Sequence, residues 1–131
     1  MIWRTRDGGE TWDQQLSPSR VFEAVHFTTA NIGWAVAESG WVYHTTDGGQ
    51  NWESRQLQPI RDLTGVHFYD VEHGWIVGHQ GAIFYTSDAG VNWEDQGGSV
   101  DGYAIPTLND VFGYGPTNAV AVGIGGAIYS H

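Results

Sequence analysis

Three stretches decide the fold: Thr5-Arg6-Asp7-Gly8-Gly9-Glu10-Thr11-Trp12, Thr45-Thr46-Asp47-Gly48-Gly49-Gln50-Asn51-Trp52 and Thr86-Ser87-Asp88-Ala89-Gly90-Val91-Asn92-Trp93. Their tryptophans are 40 and 41 residues apart, a period that marks repeated supersecondary units. In each copy the aspartate opens a turn and is placed to accept hydrogen bonds from backbone N–H groups just ahead of it. Ala89 replaces the earlier glycine of the third copy, so only the later one, at Gly9, Gly49 and Gly90, is expected to need a positive φ. Each closing tryptophan is expected to bury on the order of 150 to 250 Å². Asp7, Gly9, Trp12, Asp47, Gly49, Trp52, Asp88, Gly90 and Trp93 are therefore assigned to turn formation rather than to chemistry.

Outward from these boxes a second pattern repeats. Phe22 to Phe27 matches Leu63 to Phe68, Gly33-Trp34-Ala35-Val36 matches Gly74-Trp75-Ile76-Val77, and Gly40-Trp41-Val42 matches Gly81-Ala82-Ile83. A third copy without a box runs through Leu108-Asn109-Asp110-Val111, Ala119 to Gly123 and Gly126-Ala127-Ile128-Tyr129. Short runs rich in Val, Ile, Phe and Trp, separated by Gly, Asn and Asp, predict strands, and no segment has helical periodicity. Four strands per unit of this length predict an all-β chain, a β-propeller of four-stranded antiparallel blades. The expected divisions are a half blade at 1–17, full blades at 18–57 and 58–98, and an incomplete blade at 99–131. His131 stands where a fourth box would begin, so the repeat predicts part of a longer propeller, with an assembly of partial propellers as the alternative.

Composition narrows the partners. Fifteen acidic residues against five basic ones disfavour nucleic acid and anionic lipid surfaces. The absence of cysteine removes disulfides, thiolate metal sites and a cysteine nucleophile. No apolar run has the length of a membrane span, so no direct membrane insertion is expected. Residues Met1 to Arg6 lack the apolar stretch of a secretory leader; a leader, if the protein has one, lies outside this segment.

Antiparallel meandering places the boxes, which join strands three and four, on one face and the two-to-three and four-to-one loops on the other. Loops on a rigid scaffold carry most binding groups. The second face is expected to display Arg20, Glu38, Arg61, Asp62, His79, Gln80 and the long connection from Glu94 to Pro106, with Asp101 and Tyr103. Binding is assigned to Arg20, Glu38, Arg61, Asp62, His79 and Tyr103. His26 and His67 hold the same place in adjacent blades. With sheets packed about 10 Å apart they are not expected to share a metal ion, whose bonds to nitrogen are near 2.1 Å. His73 and His79 flank one strand from opposite ends, and Trp34 and Trp75 are expected in the core. No metal site, no cofactor and no catalytic set is assigned.

Boxes of this kind are shared by sialidases, xyloglucan-degrading glycoside hydrolases, sortilin-type receptors and photosystem II assembly factors. The order Val-His-Phe, then Gly-Trp with small apolar residues, then Gly-x-Ile before Thr-x-Asp-Gly-Gly-x-x-Trp most resembles the photosystem II stability/assembly factor-like Asp-box (BNR-type) family, over nearly the whole chain. The resemblance implies a seven-bladed propeller without catalytic activity. It implies a protein partner, a photosystem II precursor subunit, and an extracytoplasmic setting, periplasm or thylakoid lumen. Photosynthetic members carry an arginine-rich partner patch, whereas this chain has only Arg4, Arg6, Arg20, Arg55 and Arg61. The alternatives are a glycan-binding propeller, for which Tyr103 is the natural platform, and a glycoside hydrolase of sialidase or xyloglucanase type. The sialidase reading lacks the arginine triad, and a hydrolase needs two carboxylates facing each other across a cleft.

Overall fold

The computed structural model describes residues 2–16, 20–97, 99–100, 103–124 and 128–130. Fifteen strands follow in chain order: β1 (Ile2–Arg4), β2 (Asp13–Leu16), β3 (Phe22–Phe27), β4 (Gly33–Ala37), β5 (Trp41–Thr45), β6 (Glu53–Gln56), β7 (Leu63–Phe68), β8 (Gly74–Gly78), β9 (Ile83–Thr86), β10 (Glu94–Asp95), β11 (Ser99–Val100), β12 (Tyr103–Ala104), β13 (Leu108–Gly113), β14 (Ala119–Gly123) and β15 (Ile128–Ser130). They form two four-stranded meanders, β3-β4-β5-β6 and β7-β8-β9-β10, flanked by the pair β1-β2 and the triplet β13-β14-β15. All neighbours are antiparallel. The chain is thus two full propeller blades between two partial ones.

The first strands of successive blades, β3, β7 and β13, pack side by side and form the inner wall. Between the full blades lies a core that includes Trp34, Val36, Val42, Val66, Phe68, Ile76 and Phe84; between the second full blade and the last sheet lies another, with Trp75, Val77, Ile105, Leu108, Val111 and Ala121. Trp34 and Trp75 are both core residues, as their strand-two position predicts. The long connection after β10 is not wholly irregular: β11 and β12 pair as a short hairpin, Val100 opposite Tyr103.

The boxes repeat to within 0.1 Å. Thr45 Oγ1 donates to Asp47 Oδ1 at 2.8 Å and accepts the Gly49 N–H at 2.9 Å, while Asp47 Oδ1 accepts the Asn51 N–H at 2.9 Å. The first box has 2.9 Å at all three places, and the third has 2.8, 2.9 and 2.9 Å. Two expectations about the boxes need correction. The earlier glycine position also has positive φ, +74° at Gly8, +73° at Gly48 and +60° at Ala89, so the third box holds an alanine in the left-handed region. The closing tryptophans are not uniformly buried either: among the described residues β1 pairs only with β2, and Trp12 is mostly exposed.

Candidate functional site

The loop face is built by the turns that end strand two. Glu38–Gly40 and His79–Gly81 are single 3-10 turns, and the middle residue of each is left-handed, Ser39 at φ +57° and Gln80 at φ +56°. Each turn is tied to the segment that enters the next blade: the Ser39 N–H donates to Asp62 Oδ1 at 2.7 Å, and the Gln80 N–H donates to Thr107 Oγ1 at 3.4 Å. Asp62 is therefore a strut between blades. Its other oxygen lies 3.9 Å from His79 Nδ1. Glu38 is also engaged, accepting the Val21 N–H at 3.3 Å.

Arg20 is the most organised cation on this face. Its guanidinium carbon sits 4.0 Å from the centre of the Trp41 ring, and its Nη1 donates to the Tyr43 hydroxyl at 2.9 Å. Phe22 packs edge-on against Tyr43 at 5.1 Å. A charge held over an aromatic face keeps its remaining N–H groups available while losing rotamer freedom in advance. Arg61 lines a shallow depression with Pro59, Gln80 and Asp95, and it makes a long hydrogen bond, 3.4 Å, to the Ile60 carbonyl. The structure thus joins Asp62 to His79, puts Arg61 beside Gln80, and holds Arg20 and Glu38 on either side of Val21. The Tyr103 side chain and Asp101 lie outside the described residues. Trp41 and Tyr43 were not among the expected binding residues; their signal was alternation along β5, which put them on the same sheet face.

The histidine pair requires a further correction. His26 and His67 ring centroids are 4.4 Å apart, not separated by a sheet spacing, because side chains of inner strands interdigitate across the seam. Each ring has a structural partner: His26 Nδ1 accepts the Phe68 N–H at 3.2 Å and His67 Nδ1 accepts the Gly113 N–H at 2.9 Å. Burial pushes both imidazoles below their usual pKa, helped at His26 by its neighbour and opposed at His67 by Asp110. At the far end of β8, His73 Nδ1 lies 2.9 Å from Asp70, so His73 and His79 do not converge. Among the described residues no cluster of three or more potential metal ligands occurs, and no helix is long and apolar enough to cross a membrane.

The box aspartates are held acidic by their own turns. Hydrogen bonds from the Thr11 hydroxyl and N–H, then from Thr5, lower Asp7 to about 2. The Asn51 N–H and amide, then Thr45, bring Asp47 to about 2. Asn92 and Thr86 lower Asp88 in the same way. Such carboxylates are spent on the turn and poorly placed to act as acids or bases near neutral pH.

Comparison with known proteins agrees with this geometry. Residues 1–61 match the family model described as Photosynthesis system II assembly factor YCF48. No curated protein sequence matches the chain. The solved structure of YCF48 bound to a D1 peptide is similar at a TM-score of 0.77 and 28% identity, over 89% of this chain and 38% of that one. YCF48 from Cyanidioschyzon merolae is similar at 0.73 and 28% identity, over 91% and 36%. An ancestral GH74 enzyme has the same fold at 0.75, with 11% identity, over 98% and 19%. The chain spans little more than a third of the YCF48 structures it matches. With three repeated boxes, two complete blades and the YCF48 model over its first 61 residues, the chain is a partial BNR-type β-propeller similar to the photosystem II assembly factor YCF48.

Proposed function

We propose that this chain is part of a non-catalytic propeller scaffold that binds a protein partner through its loop face, and that the partner is an extended segment of a photosystem II precursor subunit. The observation that carries the reading is the likeness to YCF48 with a D1 peptide bound to it. The loop face supports it in two ways. Arg20 is fixed over Trp41 with donors to spare, and Arg61 stands beside a shallow depression rather than a deep cleft. Glu38 and Asp62, two carboxylates of this face, are already engaged by backbone N–H groups, which leaves them ill suited to the paired acid and base work of a glycoside hydrolase.

Titration calorimetry of the chain with a D1-derived peptide and with its scrambled counterpart tests this. Saturable binding of the first alone is expected, weakened several-fold by Arg20→Ala. Equal affinity for both peptides, or turnover of a xyloglucan or sialoside substrate, overturns it.

A further inference from the structure

The row of rings between the two full blades ends in a carboxylate. Phe68 on β7 stacks with Trp34 on β4 at 4.9 Å and 13°, and Trp34 stacks with His44 on β5 at 3.9 Å and 10°. Register puts Trp34 opposite His44, and His44 opposite Glu53 on the outermost strand, β6. Here a groove of about 320 Å³ is lined by Trp34, Val42, His44, Glu53 and Arg55 from one blade and by Val91 in the box of the next. The two four-stranded meanders supply both of its walls, so no further blade is needed to form or to fill it.

The polar groups of the groove are unequally used. Arg55 Nη1 donates to the Gly90 and Val91 carbonyls at 3.1 and 2.8 Å, which turns its charge toward the box. Among the described residues no hydrogen bond or ion pair reaches the exposed Glu53 carboxylate or the His44 ring nitrogens. Burial pushes the His44 imidazole below its usual range, against the pull of Glu53, so the ring is neutral near neutral pH and leaves the carboxylate unmatched. A flat neutral ring beside an unmatched carboxylate suits a planar cation. A guanidinium stacks on aromatic faces and offers paired N–H donors to a carboxylate, whereas an ammonium is a strongly hydrated point charge. Fifteen acidic residues against five basic ones add a field that draws cations.

One blade earlier the chain lays such a group in the same place. Arg4 holds the position of His44, opposite Asp13 as His44 is opposite Glu53. Its guanidinium lies against the box of the following blade: a Cβ on Gly48 would be 3.1 Å from Arg4 Nη1, and one on Gly49 3.6 Å. Between the full blades the shorter imidazole replaces the arginine, and Ala89 and Gly90, the counterparts of those glycines, border the groove instead.

We propose that this groove is a docking site for an arginine side chain of a partner polypeptide, its guanidinium laid against the His44 imidazole and hydrogen-bonded to the Glu53 carboxylate. The aliphatic stem of the arginine covers Val91, which is exposed at the lip. The site adjoins a box, at the end of the blades away from the loop face, so it stands or falls independently of the partner surface proposed above.

The probe is the peptide acetyl-Gly-Arg-Gly-amide, with its lysine and citrulline counterparts. Titrated into histidine-labelled chain, the arginine peptide is expected to shift the His44 ring signals, identified by their loss in His44→Phe, along a saturable curve. The lysine peptide, with the charge but not the plane, is expected to bind several-fold more weakly, and the citrulline peptide, with the plane but not the charge, to leave the signals in place. Glu53→Gln, a change at an exposed carboxylate, is expected to weaken the arginine peptide several-fold without moving the melting temperature. Glu94→Gln, at the equivalent position of the next blade, is expected to leave binding unchanged. Absence of saturation, equal shifts with the lysine or citrulline peptide, or unaltered binding to Glu53→Gln overturns the proposal. Equal losses in Glu53→Gln and Glu94→Gln overturn it in favour of attraction by net charge alone.

Discussion

His26 and His67 face each other across a blade seam with ring centroids 4.4 Å apart, and each accepts a backbone N–H from the next inner strand through Nδ1. Accepting at Nδ1 requires the neutral ring, protonated on Nε2. Both groups are held below their usual value of 6.5, so the unfolded chain binds more protons than the folded one as pH falls past that value. The stabilisation is complete above pH 6.5 and declines below it toward the folded-state values. Thermal melts are expected to be level near neutrality and to move to lower temperature as the buffer is taken from pH 7 into the mildly acidic range. The double variant His26→Gln, His67→Gln is expected to flatten that slope. A wild-type melting temperature that ignores pH over this range contradicts the arrangement.

The boxes titrate in a separate window. Asp7 and Asp47 have folded values of about 2 against an ordinary 3.8, so their contribution is present above 3.8 and is lost as pH falls from there toward 2. An acid unfolding limb in that interval is expected, displaced by Asp47→Asn. The buried partner of that turn has a size that can be stated. Thr45 is almost fully buried and satisfies both Asp47 and the Gly49 N–H, so Thr45→Val is expected to cost about 1 to 3 kcal/mol in urea denaturation. Thr5→Val, in the exposed first box, is expected to cost less.

Gly90→Ala is expected to be far worse than Gly8→Ala, although both residues have positive φ. A left-handed alanine costs roughly 1 to 2 kcal/mol by itself, and at Gly8 nothing lies within 4 Å of the added carbon. At Gly90 the same carbon strikes the Trp34 ring, adding an overpacking cost of about 1 to 3 kcal/mol. Chemical denaturation of the two variants checks the difference. The contrast also marks where sequence legibility ends. The turn itself was readable, because Asp, Gly and Trp act within eight residues of one another. The second demand on Gly90 comes from a ring 56 positions away in the chain, and no local pattern announces it.

The candidate site was legible to the same depth. Meander topology put Arg20, Glu38, Arg61, Asp62 and His79 on one face without any coordinates. It could not show that Asp62 is consumed by the Ser39 N–H, or that Arg20 rests on Trp41, since both contacts depend on how a loop crosses to another strand. The same limit explains the histidines: a mean sheet spacing says little about rings that reach across the seam. Asp62→Ala is accordingly expected to lower stability more than partner affinity, and Arg20→Ala the reverse. Melting temperature and peptide titration on the two variants separate these outcomes.

Arg55 gives the sharpest case of one blade bracing the next. Its Nη1 donates to the carbonyls of Gly90 at 3.1 Å and Val91 at 2.8 Å, from the outer strand of one blade to the box of its neighbour. In the other two boxes the closing tryptophan donates to the glycine carbonyl, Trp12 to Gly9 at 3.2 Å and Trp52 to Gly49 at 3.0 Å. The third box differs: Arg55 takes the Gly90 carbonyl, and Trp93 Nε1 is left buried and unpartnered. Arg55→Ala removes two charge-assisted bonds but frees the carbonyl for Trp93, so the net cost is expected to be about 1 to 2 kcal/mol, below the sum for two such bonds. The position equivalent to Arg55 one blade earlier is Gln15, whose amide lies against Gly49. Arg55→Gln is therefore expected to recover part of the loss. Urea midpoints ordered wild type, then Arg55→Gln, then Arg55→Ala would establish the brace. Identical midpoints for all three would show that the box stands without it.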